Sequence, residues 1–198
     1  MDRSLSFLLF LTYNPERLKI LQILVRTINT TVMKNAIAPQ KRDKSLVPLS
    51  REHHFGLLFC WKIRQGLKNG TDLELMRAYV RYFWETILKE HCEEEEWILK
   101  RVLKSDDTVR ARLAEEHQLL HTIVDLINTG SPMNKELFKV LERDLNDHIR
   151  WEERELFPYV QRMANPDELE LTGKLLSHKH DPRLDTFTPE FWTVKAQA

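Results

Sequence analysis

The sequence predicts an all-α fold: an up-down-up-down antiparallel four-helix bundle followed by a short fifth helix and a C-terminal tail. Three observations lead there. Only 5 glycines and 8 prolines punctuate 198 residues, so the chain has few places to turn, while good helix formers are abundant. Apolar residues recur at helical spacing over long stretches. Cap and stop signals divide the chain into long segments joined by short connections, which makes successive helices antiparallel neighbours. With 42% hydrophobic and 30% charged residues, one compact domain with a sizeable core is expected.

Residues 1–49 read as a flexible leader. The opening MDRSLSFLLFLTYN has a short apolar run but neither a membrane-length span nor a small-residue cleavage site, so it is expected to be neither a membrane helix nor a secretory signal. Met33 begins a stretch of different texture, MKNAIAPQKRDKSLVP, and reads as the natural start.

Residues 50–164 hold the bundle. Ser50 caps a first helix through REHHFGLLFCWKIRQGLKNG, which stops at Gly70. Thr71 to Glu74 form a capping-box pattern that starts a second helix to about Leu103. Ser105-Asp106-Asp107 cap a third, running to about Asn128 and closed by Gly130. Ser131-Pro132 supply a cap and a first-turn proline for a fourth, which Pro158 is expected to kink or end near Phe157. In residues 165–198, Asn165-Pro166 start a fifth, shorter helix to about His178. The tail after Asp181 carries Phe187, Phe191 and Trp192 to cover apolar surface.

Lys+Arg and Asp+Glu balance at 30 each, so no basic footprint points to nucleic acid or to an anionic membrane surface. Cys60 and Cys92 form no CxxC pattern, which fits a reducing, cytoplasmic setting.

The stretch HCEEEEW, His91 to Trp97, asks whether any of four consecutive glutamates points inward. At about 100° per residue, Val80, Trp84, Ile87, Ile98 and Val102 lie within roughly 40° of His91, and so does Glu95. Glu94 flanks the stripe on the other side, while Glu93 and Glu96 are expected in solvent. On the third helix His117 and His121 share a face with Leu113, Leu120 and Val124. On the fourth, His148 aligns with Leu137, Leu141 and Leu145, Glu152 lies about 40° away, and Glu153 turns to the edge. The first helix offers His53 and His54, of which His53 is nearer the stripe of Leu57, Cys60 and Leu67. Heights along the bundle match for His53 with His91 and for Glu95 with His117. They mismatch by roughly 13 Å for His121 with His148.

A lone inward histidine is ordinarily a satisfied core residue. Five on converging faces with two carboxylates would be expensive without a cation. Seven mixed nitrogen and oxygen ligands are too many for one tetrahedral zinc, and two octahedral iron ions bridged by the carboxylates fit the count. Coordination positions then stay open for a small ligand.

The motifs HCEEEEWIL at 91–99, EHQLLH at 116–121 and HIRWEERELFP at 148–158 resemble the hemerythrin-like, or HHE cation-binding, family over roughly residues 50–160. The resemblance implies a four-helix bundle with a non-haem di-iron centre. His91, His117, His121 and His148 would be terminal ligands, Glu95 and Glu152 bridges, and His53 or His54 the fifth histidine. Glu94 and Glu153 stand as fallback carboxylates, and His178 and His180 as solvated residues. The expected function is binding of a small ligand (O2, NO or peroxide) for sensing, storage or iron handling. A di-iron peroxidase or oxidase with Cys60 or Cys92 as redox partner is the alternative, and a structural bundle with zinc or no metal is a third reading.

Overall fold

The computed structural model describes residues 41–131, 133–177 and 184–193. The leader up to residue 40, with Met33, and His178 and His180 lie outside the described residues. Within them the chain is all-helical, without a strand. In chain order the elements are α1 (Val47–Lys68), α2 (Leu73–Phe83), a first π-turn (Trp84–Leu88), α3 (Lys89–Val102), α4 (Thr108–Thr129), α5 (Lys135–Trp151), a second π-turn (Glu152–Leu156), α6 (Phe157–Met163) and α7 (Pro166–Ser177). Both π-turns have helical backbone on either side. The chain therefore runs unbroken from α2 into α3 and from α5 into α6.

The caps explain most boundaries. Asp72 accepts from the Glu74 N–H at 3.4 Å, Asp107 from that of Val109 at 2.9 Å, and Asn165 from that of Asp167 at 2.9 Å, each satisfying a first-turn donor. Gly70, at φ 65°, turns the chain out of α1, a conformation that suits a residue without Cβ.

Three expected boundaries differ. α1 starts at Val47 rather than after Ser50, because Pro48 sits in its first turn, where no backbone donor is needed. α5 is capped by Asn134, whose side chain accepts from the Glu136 N–H at 2.9 Å, and not by Ser131; Pro132 lies outside the described residues. Pro158 does not end the fourth helical run. The π-turn ahead of it, closed by Phe157 N–H to the Glu152 carbonyl, places Pro158 in the first turn of α6, and the Glu153 carbonyl accepts from Arg42 at 2.8 Å instead of from the ladder.

α1 packs on α5, α4 on both α3 and α5, α2 on α4, and α7 on α3. The core divides into two apolar layers. One gathers Phe59, Ile63, Tyr79, Phe83, Leu120 and Leu141; the other gathers Leu49, Ile98, Leu113, Leu156, Phe157 and Val160. Every long helical run contributes to both, and His53, His91, His117 and His148 lie near the point where each run passes from one set to the other. The tail segment closes over the first layer, with Phe191 and Trp192 buried against Tyr79. There Asp185 accepts from Lys62 at 2.8 Å and from the Tyr79 hydroxyl at 2.6 Å. Among the described residues no helix is long and apolar enough to cross a membrane.

Candidate metal centre

Between the apolar layers lies a buried polar cluster. Glu95 and Glu152, each 0% exposed, come from the two π-interrupted runs and face four imidazoles. One oxygen of Glu95, Oε1, lies 3.3 Å from His53 Nε2 and 3.4 Å from His91 Nε2. Its other oxygen, Oε2, lies 3.4 Å from His117 Nε2. Glu152 does the converse: Oε1 is 3.2 Å from His148 Nε2 and 4.0 Å from His117 Nε2, while Oε2 is 3.2 Å from His53 Nε2. Each carboxylate thus turns one oxygen to each side. Two groups of ligand atoms result, all within 4.8 Å of one another in each: His53, His91, Glu95 and Glu152, and Glu95, His117, His148 and Glu152.

A second layer of carboxylates fixes the imidazoles. The Nδ1–H of His53 donates to Glu153 at 2.6 Å, that of His91 to Glu52 at 2.8 Å, that of His117 to Glu96 at 3.2 Å, and that of His148 to Glu116 at 2.8 Å. With Nδ1 protonated and engaged, each neutral imidazole presents its Nε2 lone pair to the centre, the tautomer a metal needs.

The electrostatics describe a site whose charges lean on one another. Burial pulls the His53 pKa down, but Glu152, Glu153 and Glu95 outweigh it and hold it well above the usual value. The His117 pKa is likewise raised against burial, by its contacts with Cys92, Glu95 and Glu96. That of His148 rises to about 9 against burial, through Glu152 and Glu116. Burial and mutual repulsion push Glu95 up, yet His91, His117 and His53 bring it below the usual carboxylate range. Glu152 is drawn well below it, against burial, by His148 and His53. In the metal-free chain, the raised pKa values of His53, His117 and His148 favour protons there in the place of a cation.

Those protons do not complete the hydrogen bonding. Glu95 Oε2, His117 Nε2 and both oxygens of Glu152 are buried without a hydrogen bond of acceptable geometry, an expensive condition for charged groups. Four imidazole nitrogens around two carboxylates, with inner atoms left over, fit metal ions. The donor set of imidazole and carboxylate suits first-row transition metals.

Six of the eight expected residues are brought together: His53, His91, Glu95, His117, His148 and Glu152. His54 is exposed, edge-on to Phe55 at 5.9 Å, so His53 is the first-helix member of the cluster. His121 is also outside. Its side chain is 45% exposed, stacked on Trp84 at 5.2 Å and 3.5 Å from Asp125. One turn past His117, it meets the Trp84 ring instead of the carboxylates. The height mismatch disappears with it, because His148 pairs with His117, their ring centroids 5.0 Å apart. With α5 starting at Lys135, these two stand about 18 and 20 Å from the α4–α5 connection.

Of the fallback carboxylates, Glu94 is buried but outside both ligand groups, and Glu153 belongs to the outer layer. Glu96 does not simply face solvent as expected, since it holds His117. Glu52, Glu96 and Glu116 escape sequence reasoning because they lie on helix flanks that face a neighbouring helix, away from the apolar stripe. Cys60 and Cys92 are buried. Burial, with Glu142 nearby, pushes the Cys60 thiol up to about 12, and burial also raises Cys92, which touches His117. Neither is the low-pKa thiol that redox chemistry uses.

A small cavity adjoins the centre, lined by His53, His91 and His148 together with Gly56, Phe83 and Leu145. No protein-family model, curated protein or solved structure matches this chain.

Proposed function

We propose that this chain is a hemerythrin-like metal-binding protein, an up-down four-helix bundle around a non-haem di-iron centre that binds a small ligand such as O2, NO or peroxide. The observation that carries the reading is the division of labour at Glu95 and Glu152, each with one oxygen toward each pair of histidines. Bridging carboxylates between two ions call for that arrangement. His53 and His91 would hold one ion and His117 and His148 the other. Bound iron would supply reversible small-ligand coordination and one-electron redox chemistry.

The residues of the chain do the rest. The outer carboxylates orient the imidazoles, and the apolar layers on both sides exclude bulk water and keep the local dielectric low. The cavity beside His53 and His91 is small and partly walled by Phe83 and Leu145, which favours a small, weakly polar ligand over an elaborated substrate.

A second reading, di-iron oxidase or peroxidase, gains from the ligand count. Four histidines and two bridges fill about eight of twelve octahedral positions, leaving more exchangeable positions than the expected seven ligands would. The buried thiols lend no support to a cysteine partner for it.

Elemental analysis of tag-free protein produced with iron and purified without chelators tests the first reading. About two irons per chain is the expected result. Zinc, or no metal in protein that retains its helicity, would refute it, and steady-state peroxide turnover would favour the enzyme.

A further inference from the structure

Resting on the two-metal reading, we propose that Arg42 and Arg112 are positioning residues, each clamping one histidine of one metal position through a carboxylate and an aromatic ring at once. Arg42, just ahead of α1, reaches His53 by two routes. Its Nη2 donates to Glu153 Oε2 at 2.6 Å and to the Glu153 carbonyl at 2.8 Å, and Glu153 Oε1 accepts from His53 Nδ1 at 2.6 Å. Its guanidinium also lies over the Phe157 ring at 4.7 Å, and Phe157 stacks on the His53 ring at 5.4 Å with 5° between planes.

Arg112, on α4, repeats the device at the other position. Its Nε donates to Glu116 Oε1 at 2.7 Å, and Glu116 Oε2 accepts from His148 Nδ1 at 2.8 Å. Its guanidinium lies 3.9 Å over the Trp151 ring, whose centroid is 6.1 Å from that of His148 at 36° between planes, a looser, tilted contact than the stack on His53. His53 belongs only to the first group of ligand atoms and His148 only to the second. Each metal position therefore has one doubly anchored imidazole.

The physical reason for two routes is the freedom of a histidine ring. Its terminal torsion has a broad minimum. A hydrogen bond at Nδ1 fixes the tautomer and one point of the ring but leaves tilt, and a flat neighbour restricts the tilt. Arginine can grip the carboxylate and cover the ring together, because its guanidinium is both a planar fork and a stacking surface. A lysine has neither property.

The test is a Co(II) titration of the metal-free full chain, followed by visible absorption, with helicity checked by circular dichroism. The unmodified chain is expected to bind two equivalents. Arg42→Gln should weaken one equivalent about 10- to 100-fold, the range for lost outer partners, leaving the other and the helicity unchanged; Arg112→Gln should do the same at the other position. In a His53→Ala background, Arg42→Gln should have no further effect on the remaining equivalent while Arg112→Gln still does.

Arg42→Lys keeps the charge without the fork or the stack, so it should stay selectively weak; it also carries the test should Arg42→Gln lose helicity. Unchanged affinity in the arginine variants, equal weakening of both equivalents by one of them, or full rescue by lysine would overturn the clamp. Fewer than two equivalents in the unmodified chain would overturn the two-metal reading itself, and this inference with it.

Discussion

One turn of helix separates His117 from His121, and the two meet different surroundings. His117 is buried with Nε2 toward Glu95 and Nδ1 on Glu96, whereas His121 lies half in solvent against Trp84. His117→Ala should therefore abolish or severely weaken one of the two metal equivalents, while His121→Ala should leave stoichiometry intact. Glu96→Gln, which spoils the carboxylate behind His117, should cost about 10- to 100-fold in affinity. Metal analysis of the three variants checks this, and metal loss in His121→Ala would show the assignment reversed. Glu95 was legible because its angle from His91 places it on the apolar stripe, and Glu152 because it repeats that spacing from His148. Glu52, Glu96 and Glu116 were not, since their partners sit on other helices and no single-helix pattern encodes them. Nor could angle alone reject His121, because it says which way a side chain points and not which ring already fills that space.

At the scale of the element, the π-turns explain how two long helical runs keep an apolar face and still deliver a carboxylate. Each inserts one extra residue into the ladder, shifting every later side chain by about 100° from where an unbroken α-helix of the same sequence would place it. The first, Trp84–Leu88, comes just before His91, and the second begins at Glu152. Deleting the exposed Thr86 would remove the inserted residue and return the first turn to α register, with His91 and Glu95 keeping their direction toward the centre. Metal uptake at both positions should then survive, with helical content kept. Loss of metal at both positions in a variant that keeps its helicity would show that the turn itself has a part in aiming these ligands. Caps and glycines disclosed where most helices start and stop. A π-turn has no comparable residue signature, so the sequence reads Pro158 as a kink or an end and does not show the preceding turn that accommodates it.

For the whole molecule, the buried charges tie stability to protons and metal in opposite directions. His53, His117 and His148 have folded pKa values raised above the unfolded reference near 6.5. Their stabilising contribution is fully present below about pH 6.5 and is lost as pH climbs through the folded values, about 9 for His148. Glu95, Glu152 and Glu153 are depressed, Glu153 to about 2. Their contribution is present above the unfolded carboxylate value near 4.3 and is lost as pH falls through the folded ones. The metal-free chain should then be most stable at about pH 5 to 6.5. Its Tm should fall between pH 6.5 and 9, because the cluster loses the protons that stood in for a cation while the carboxylates remain buried. Metal reverses the sense. Ligation needs the imidazoles neutral, so uptake releases protons and tightens as pH rises, and a ligand that binds only the folded state stabilises it by mass action. Thermal melts of metal-free and iron-loaded protein at pH 6, 7.5 and 9 should therefore diverge, with the metal-dependent gain in Tm growing across the series. A metal-free Tm that stays level or rises over that range would mean the histidine protons are not what hold the two carboxylates in place.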